Sequence, residues 1–472
     1  MSATAGIRID GKPAQAQEAA RLDSLNPATG GVAGSVDAGG AADAVHAVDS
    51  AAAALPAWAA TSPAERSAAL RAVADWLRSG PEDIARLTSV ESGKRIAEAR
   101  AELNLSANFF TYYADALLEE DSVSVVPGIT HHVISRPLGV VGVVTPWNFP
   151  VSIPARKIAP ALAAGCTVVF KPREIAPLSG LLFAEGLEKF LPAGTFNTVA
   201  GDGPAITGAW LDDVRVRGLS FTGSTRVGQI LAAQAVPTLT RLTLELGGNA
   251  PFVLLEDADL DAAVETLMIA KYRNNGQSCI AANQVFVPAG VMDPFVEAFR
   301  AASDSLRLGD PLDEATDLGP MALPSDPDRL SGLAADAADS GAAVHTAKVD
   351  VPDAGFFAAP QICVAPGPQA RVRTEEAFGP LTVVHPYSDA EEVLAWSRSC
   401  DVGLGGYVIG TDLDRAEAFA QQLEVGIVGI NNGTPNTPQI PFAGLKLSGQ
   451  GVEGAAGGMR EFLTYQTLAI KG

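Results

Sequence analysis

The chain has 472 residues, 47% hydrophobic and 18% charged, which is the composition of a globular protein of two or three domains and excludes a largely disordered one. Acidic residues outnumber basic ones 54 to 33, and a net charge of −21 argues against nucleic acid and anionic lipid as partners, though one local arginine pair can still bind a small anion. The N-terminal stretch MSATAGIRIDGKPAQ lacks an apolar core of the signal-peptide kind, and the longest apolar run, within residues 158–170, is broken by Pro160 and Gly165, so a cytoplasmic chain without a membrane span is expected.

In chain order, the N-terminal third is Ala-rich and helical in pattern. Ser62-Pro63-Ala64-Glu65 reads as a capping box with proline at the first helical position, followed by Leu70, Val73 and Leu77 at helical spacing. A second helix is predicted from about Glu98 to Leu118. Residues 122–135 turn β-branched and alternating around Pro127-Gly128, which predicts a hairpin inserted like an arm. From Val140 the rhythm is strand–helix–strand, with short apolar runs at 140–144, 167–170, 196–199, 218–221 and 242–246. That spacing suits βαβ units around a buried parallel sheet. A second α/β region is expected from about Ala250 to Asn431, with strands at 252–255, 285–287, 381–384 and 405–409. The chain closes on a Gly-rich stretch and a last strand candidate, 462–470.

Three short segments carry the chemistry. Asn274-Asn275-Gly276-Gln277-Ser278-Cys279 reads as a small, polar, flexible loop ending in a thiol, which suits a nucleophile but equally suits a plain loop. The other cysteines, Cys166, Cys363 and Cys400, form no metal-ligand or disulfide pattern with it, so reduced thiols and no metal site are expected. Glu245 lies inside the apolar run of Leu244-Glu245-Leu246-Gly247-Gly248. It is either paired or solvent-facing, or it is a general base with a raised pKa that the two glycines leave free to swing. Thr145-Pro146-Trp147-Asn148-Phe149-Pro150 follows the 140–144 strand, where an Asn148 amide is either a turn residue or an oxyanion donor.

Together these segments, in this order, resemble the aldehyde dehydrogenase superfamily. The resemblance continues through Lys171-Pro172-Arg173-Glu174, Phe221-Thr222-Gly223-Ser224-Thr225, Glu375-Glu376-Ala377-Phe378-Gly379-Pro380 and Pro441-Phe442-Ala443-Gly444, and covers nearly the whole chain. It implies an α/β fold: a variant Rossmann dinucleotide-binding domain (1–118 and 138–245), an α/β catalytic domain (246–431) and a β-hairpin oligomerisation arm (119–137 and 455–472). It also implies a homodimer or homotetramer, since these arm elements pair between subunits in the family. The catalytic residues it implies are Cys279 as nucleophile, Asn148 with the Cys279 N–H as oxyanion hole, and Glu245 as the base that activates the hydrolytic water.

The usual G-x-G-x-x-G fingerprint is missing: Gly201 and Gly203 are followed only by Gly208. By resemblance the dinucleotide is instead held by Thr145, Pro146, Trp147, Lys171, Glu174, Gly203, Phe221, Gly223, Ser224, Glu376 and Phe378. A carboxylate at Glu174 disfavours a 2′-phosphate, so NAD is the expected cofactor and NADP the second option, with Arg173 beside Glu174 softening the choice. Arg156, eight residues after Asn148, and Arg273, six before Cys279, match the spacing of succinate-semialdehyde dehydrogenases, where such arginines hold the substrate carboxylate. Asn436 and Thr437 stand where that subfamily has a serine contact. Ala281 and Ala282 stand where some members carry a second cysteine, so no redox disulfide is expected. The alternatives are a dehydrogenase for a neutral aliphatic or aromatic aldehyde, with both arginines structural, and a non-catalytic relative of the fold.

Overall fold

The computed structural model describes residues 5–17, 20–116 and 122–471. Two parallel sheets organise it, and the site lies where an edge of one faces an edge of the other.

The first sheet is built on β1 (Val140–Val144), β2 (Thr167–Lys171), β3 (Phe196–Val199), β4 (Val216–Thr222) and β5 (Arg241–Glu245), in spatial order β3-β2-β1-β4-β5. All four pairings are parallel, as expected of strands buried on both faces and made of Val, Leu and Phe. This is the doubly wound order, which reverses direction at β1 and opens a crevice beyond the strand ends there. Register makes the crevice functional. Val144 lies opposite both Lys171 and Phe221, and Thr222 lies opposite Glu245, so four of the expected motifs leave the sheet in one row. Three short antiparallel strands that sequence reasoning did not foresee close the sheet: Ile7–Ile9 beyond β3 with Lys12–Pro13 outside it, and Gly449–Gln450 beyond β5.

The second sheet contains β6 (Ala250–Leu254), β7 (Ala282–Pro288), β8 (Gln361–Val364), β9 (Leu381–Tyr387), β10 (Gly405–Ile409) and β11 (Ile427–Ile430), in order β8-β9-β7-β6-β10-β11. An antiparallel strand, Ala343–Thr346, flanks β8. Here the motifs precede the strands. Gly247-Gly248-Asn249 leads into β6, Cys279 into β7, and Glu376 to Pro380 into β9, and these three strands are neighbours. The carboxyl edge of the first sheet therefore meets the amino edge of the second across the short link from Glu245 to Ala250.

The Ser62 capping box forms as expected: Ser62 Oγ accepts from Glu65 N at 3.2 Å, and the Glu65 carboxylate accepts from Ser62 N at 2.7 Å. The second helix spans Ile96–Asp115, and the predicted end at Leu118 lies outside the described residues. The predicted hairpin is Ser122–Val126 against Ile129–Pro137. The tail, Leu463–Lys471, pairs over nine residues with Ile129–Pro137 of the same chain. Val125, Tyr465 and Ile470 remain exposed on this three-stranded sheet. Among the described residues no helix is long and apolar enough to cross a membrane.

Candidate active site

The Cys279 loop is a correction to its reading as flexible. Asn274, Asn275 and Gly276 are three consecutive left-handed residues (φ 52°, 58° and 76°), a run that Asn and Gly tolerate best. Asn274 and Gln277 are fully buried. Asn275 Nδ2 donates to Gly93 O (3.1 Å) and Pro320 O (3.0 Å), while its Oδ1 accepts from Gly319 N (2.9 Å). Gln277 Oε1 accepts from Ala322 N at 3.0 Å, and Asn274 N donates to Glu98 Oε2 at 3.0 Å. The polar side chains that suggest a mobile surface loop instead substitute for a sheet ladder and fix the thiol's backbone.

The same network sets Asn148. Its Nδ2 donates to Gln277 O at 3.0 Å, and Asn274 Nδ2 donates to both Asn148 O (3.1 Å) and Gln277 O (3.0 Å). The Phe149 ring beside it sits 4.0 Å from Lys94 Nζ and 5.2 Å from the Arg273 guanidinium. The following helix, Ser152–Ala163, has no side-chain cap of its own; Glu102 Oε1 accepts from Val151 N and Ser152 N, both at 2.9 Å. Glu102 is in turn ion-paired with buried Lys94.

Glu245 ends β5 with 2% of its surface exposed. Neither of its oxygens has a hydrogen-bond partner of ordinary geometry among the described residues, and the side chain it faces is the Cys279 thiol. Burial pushes the Glu245 carboxyl up to about 7; Arg156 opposes the rise and Glu453 adds to it. Burial and the adjoining Glu245 carboxyl hold the Cys279 thiol well above its usual range. An unpaired buried acid beside a protonated thiol is a costly pair to keep without a purpose.

The two glycines after Glu245 serve close approach rather than swing. A Cβ on Gly248 would lie 2.4 Å from Cys279 O, and one on Gly247 would lie 2.9 Å from Glu376 Oε2. Glycine here lets the link from β5 to β6 press against both the thiol loop and the Glu376 loop.

A cleft of about 730 Å³ opens along the β1/β4 crevice and reaches from Cys279 and Asn148 to Glu174 and Arg226. Cys279, Glu245, Asn148 and all eleven residues expected to hold the dinucleotide line it. Lys171 Nζ is ion-paired with Glu174 Oε1 at 2.6 Å. Gly203 opens the helix Gly203–Asp212, and a Cβ there would stand 2.8 Å from Glu174 Oε1, so this glycine leaves the carboxylate its place. Ser224 caps the helix Thr225–Ala235, its Oγ accepting from Val227 N at 3.4 Å, which leaves the hydroxyl proton and the helix's free N–H groups facing the cleft. At the other end burial pushes Glu376 up to about 8, against a bond from Gly248 N at 3.4 Å. Phe378 is held at φ 41° and packs edge-on to Trp147, with ring centroids 5.8 Å apart. A long cleft with a helix N-terminus at its middle and carboxylates at both ends fits an extended dinucleotide.

The four substrate candidates do not line this cleft. Arg156 is buried, with Nε 2.7 Å from Glu453 Oε2 and its guanidinium 4.4 Å from the Phe442 ring. Its partner therefore comes from the C-terminal segment and not from its own helix. Lys157 shares Glu453 and also donates to Ser220 Oγ at 3.0 Å. Arg273 is half-buried and, among the described residues, has no carboxylate within 4 Å. Asn436 Oδ1 is buried without a hydrogen-bond partner among the described residues, and Thr437 is exposed. Sequence reasoning missed Lys157, Glu453 and the cleft-lining Arg226. Only the charges inside apolar surroundings at Lys157 and Glu453 offered a signal.

Fold and cleft are those of a dinucleotide-dependent oxidoreductase, and the chain belongs to the aldehyde dehydrogenase family, whose sequence profile matches residues 14–468. It is 39% identical to the glutarate-semialdehyde dehydrogenase of Pseudomonas aeruginosa over 98% of this chain and 97% of that one. It is 38% identical to the NADP-dependent succinate-semialdehyde dehydrogenase of Escherichia coli, with the same coverage. The crystal structure of succinate-semialdehyde dehydrogenase from Burkholderia pseudomallei superimposes with a TM-score of 0.95 at 37% identity, covering 99% of this chain and 98% of that one.

Proposed function

We propose that this protein oxidises an aldehyde bearing a distal carboxylate, of the succinate-semialdehyde type, to the acid through a thioester on Cys279, with NAD as preferred acceptor. The observation that carries the substrate reading is Arg273. It is a half-buried guanidinium without a carboxylate partner among the described residues, six positions before the thiol and against the ring that follows Asn148. An unmatched guanidinium beside a reaction centre is suited to a substrate anion. Relatives named for succinate and glutarate semialdehydes support it.

In this reading Glu245, as carboxylate, takes the proton of the Cys279 thiol, and the sulfur attacks the carbonyl carbon. The new oxyanion accepts bonds from the Cys279 N–H, which has no partner among the described residues, and from the second N–H of Asn148 Nδ2. Thr145, Trp147, Phe221, Gly223 and Ser224 would hold the dinucleotide's middle and nicotinamide end, with Glu376 and Phe378 at its ribose. Bound there, the cofactor supplies the hydride acceptor. Once Glu245 has released that first proton to solvent, it removes a proton from water, and the hydroxide cleaves the thioester. The thiolate leaves and recovers this second proton from Glu245, and the acid product ionises. Arg273 grips the far carboxylate, with the polar groups of Asn436 and Thr437 as further contacts, while Arg156 stays with Glu453 and supports the site from behind.

A steady-state comparison with NAD tests the reading. The expected result is kcat/KM for succinate semialdehyde at least about tenfold above that for butanal, because a charged hydrogen bond is worth roughly 1.5–3 kcal/mol. Equal values would move the reading to neutral aldehydes. The exposed three-stranded sheet, with Val125 at 74% and Ile470 at 47% exposure, is the surface through which we place a homodimer or homotetramer. Light scattering on the eluting protein checks this, and a monomer mass would contradict it.

A further inference from the structure

Behind Gly248 and Glu376 lies a closed ring of polar side chains that the reaction described above does not use. His385, on β9, is buried and stacks on Phe286, its cross-strand neighbour on β7, with ring centroids 4.9 Å apart. Its Nε2 lies 2.8 Å from Gln284 Oε1. Gln284 Nε2 donates to Asn249 Oδ1 (3.2 Å) and to Val372 O (2.7 Å), and Asn249 Nδ2 donates to Arg373 O (3.2 Å). Arg373 Nη1, 3.3 Å from His385 Nδ1, closes the circuit. The partners fix the tautomer. Val372 O can only accept, so the Gln284 nitrogen faces it, and the Gln284 oxygen takes the His385 Nε2–H. A guanidinium can only donate, so His385 Nδ1 accepts. A second proton on the ring would remove that acceptor and set two cations together. Burial, with Arg373 adding to it, holds His385 down at about 3 and therefore neutral.

The circuit joins two segments that reach the reaction centre from different sides. Asn249 ends the glycine link in which Gly248 approaches Cys279 O and donates to Glu376 Oε1. Val372 and Arg373 belong to the turn Arg371–Arg373, which leads directly into Glu376 and Phe378. Their carbonyls are the backbone anchors of that loop, and both are held by amides that His385 orients. A fully satisfied buried network of this kind fixes one arrangement of the segments it joins. We infer that His385 is a positioning residue for hydride transfer: by closing the circuit it sets the Glu376–Phe378 loop against the Gly247–Asn249 link. It touches no reacting atom and acts through Gln284, Asn249 and Arg373. The inference rests on the reading of Glu376 and Phe378 as the nicotinamide end of the cleft.

Steady-state kinetics of His385→Leu and His385→Gln, with calorimetric titration of 5′-AMP into each, test it. Leucine leaves Gln284 Oε1 unpaired, whereas glutamine can return a donor to it. For His385→Leu the expected result is a KM for NAD raised about fivefold and a kcat lowered about tenfold, the scale of one buried acceptor left unmatched. The isotope effect with succinate semialdehyde deuterated at its aldehyde carbon should grow, because hydride transfer has become slower. Binding of 5′-AMP should stay within about twofold, since the adenosine end is carried by the first sheet. His385→Gln should recover most of the loss. A merely destabilised protein loses activity with its folded fraction and changes neither KM nor the isotope effect. Unchanged KM and isotope effect in folded His385→Leu would overturn the inference, as would 5′-AMP weakened as much as NAD, or a glutamine variant no better than the leucine one. Should the leucine variant not fold, His385→Asn, which drops the donor to Gln284, is judged by the same criteria. Failure of the unsubstituted protein to bind NAD or 5′-AMP would overturn the cleft reading itself, and the inference with it.

Discussion

The proposed cofactor cleft and the proposed substrate side of this enzyme are built on different principles. The cleft is formed by main chain at strand ends: β1, β2, β4 and β5 stop in register, and what lines it follows from where they stop. The substrate side is formed by long charged side chains whose roles depend on distant partners. Arg156 and Arg273 have the same charge and a similar place near the thiol, yet one is tied to Glu453, almost three hundred positions away, and the other is untied. Topology fixes the first region. Pairing decides the second.

That contrast predicts unequal effects of equal substitutions. Arg156→Met should be the more damaging, with a loss of about 3 kcal/mol in chemical denaturation, because Glu453 keeps only Lys157 as a buried partner. It should also lower kcat/KM for charged and neutral aldehydes alike. Arg273→Met should leave the melting behaviour nearly unchanged and lower kcat/KM for succinate semialdehyde roughly ten- to a hundredfold, with butanal unaffected. If the two variants behave alike on both substrates, the contrast between a tied and an untied arginine is wrong.

The smallest effect is in pH. Glu245 must be ionised to take the thiol proton, and burial has raised it to about 7, so kcat/KM should climb with pH and level off above that value. Removing Arg156, which pulls Glu245 down, should move the climb to higher pH, whereas Arg273→Met should leave it in place. An acidic limb near 4.5 in the wild type would show that the carboxyl is not the buried acid described here.

The same division explains what could be read from the chain alone. The predicted strands, the Ser62 cap and the cleft residues carried by motifs follow local signals: apolar runs, turn residues and motif order; cleft-lining Arg226 does not. Two readings did not survive, and a short edge strand was not read at all. The Asn274–Cys279 loop looks flexible because its residues are small and polar, but its hydrogen-bond acceptors lie at Gly93 and Pro320. Gly247 and Gly248 look like a hinge, but their role is set by the approach of Glu376 and of the Cys279 carbonyl. The short strand Ile7–Ile9 is legible only once Phe196–Val199 is known to offer an edge. Each depends on a partner remote in sequence, which no local pattern encodes.

The central claim is that Cys279 carries the substrate as a thioester which Glu245 helps water to cleave. Rapid mixing of Glu245→Gln with succinate semialdehyde and NAD, followed by mass spectrometry of the quenched protein, tests it most directly. The expected result is a burst of about one equivalent of NADH per chain, formed more slowly than in the unsubstituted protein because Gln cannot take the thiol proton, then a steady turnover lowered roughly a hundredfold or more, and an acyl group on the peptide containing Cys279. Undiminished turnover, or a peptide map with Cys279 unmodified after the burst, would contradict the account.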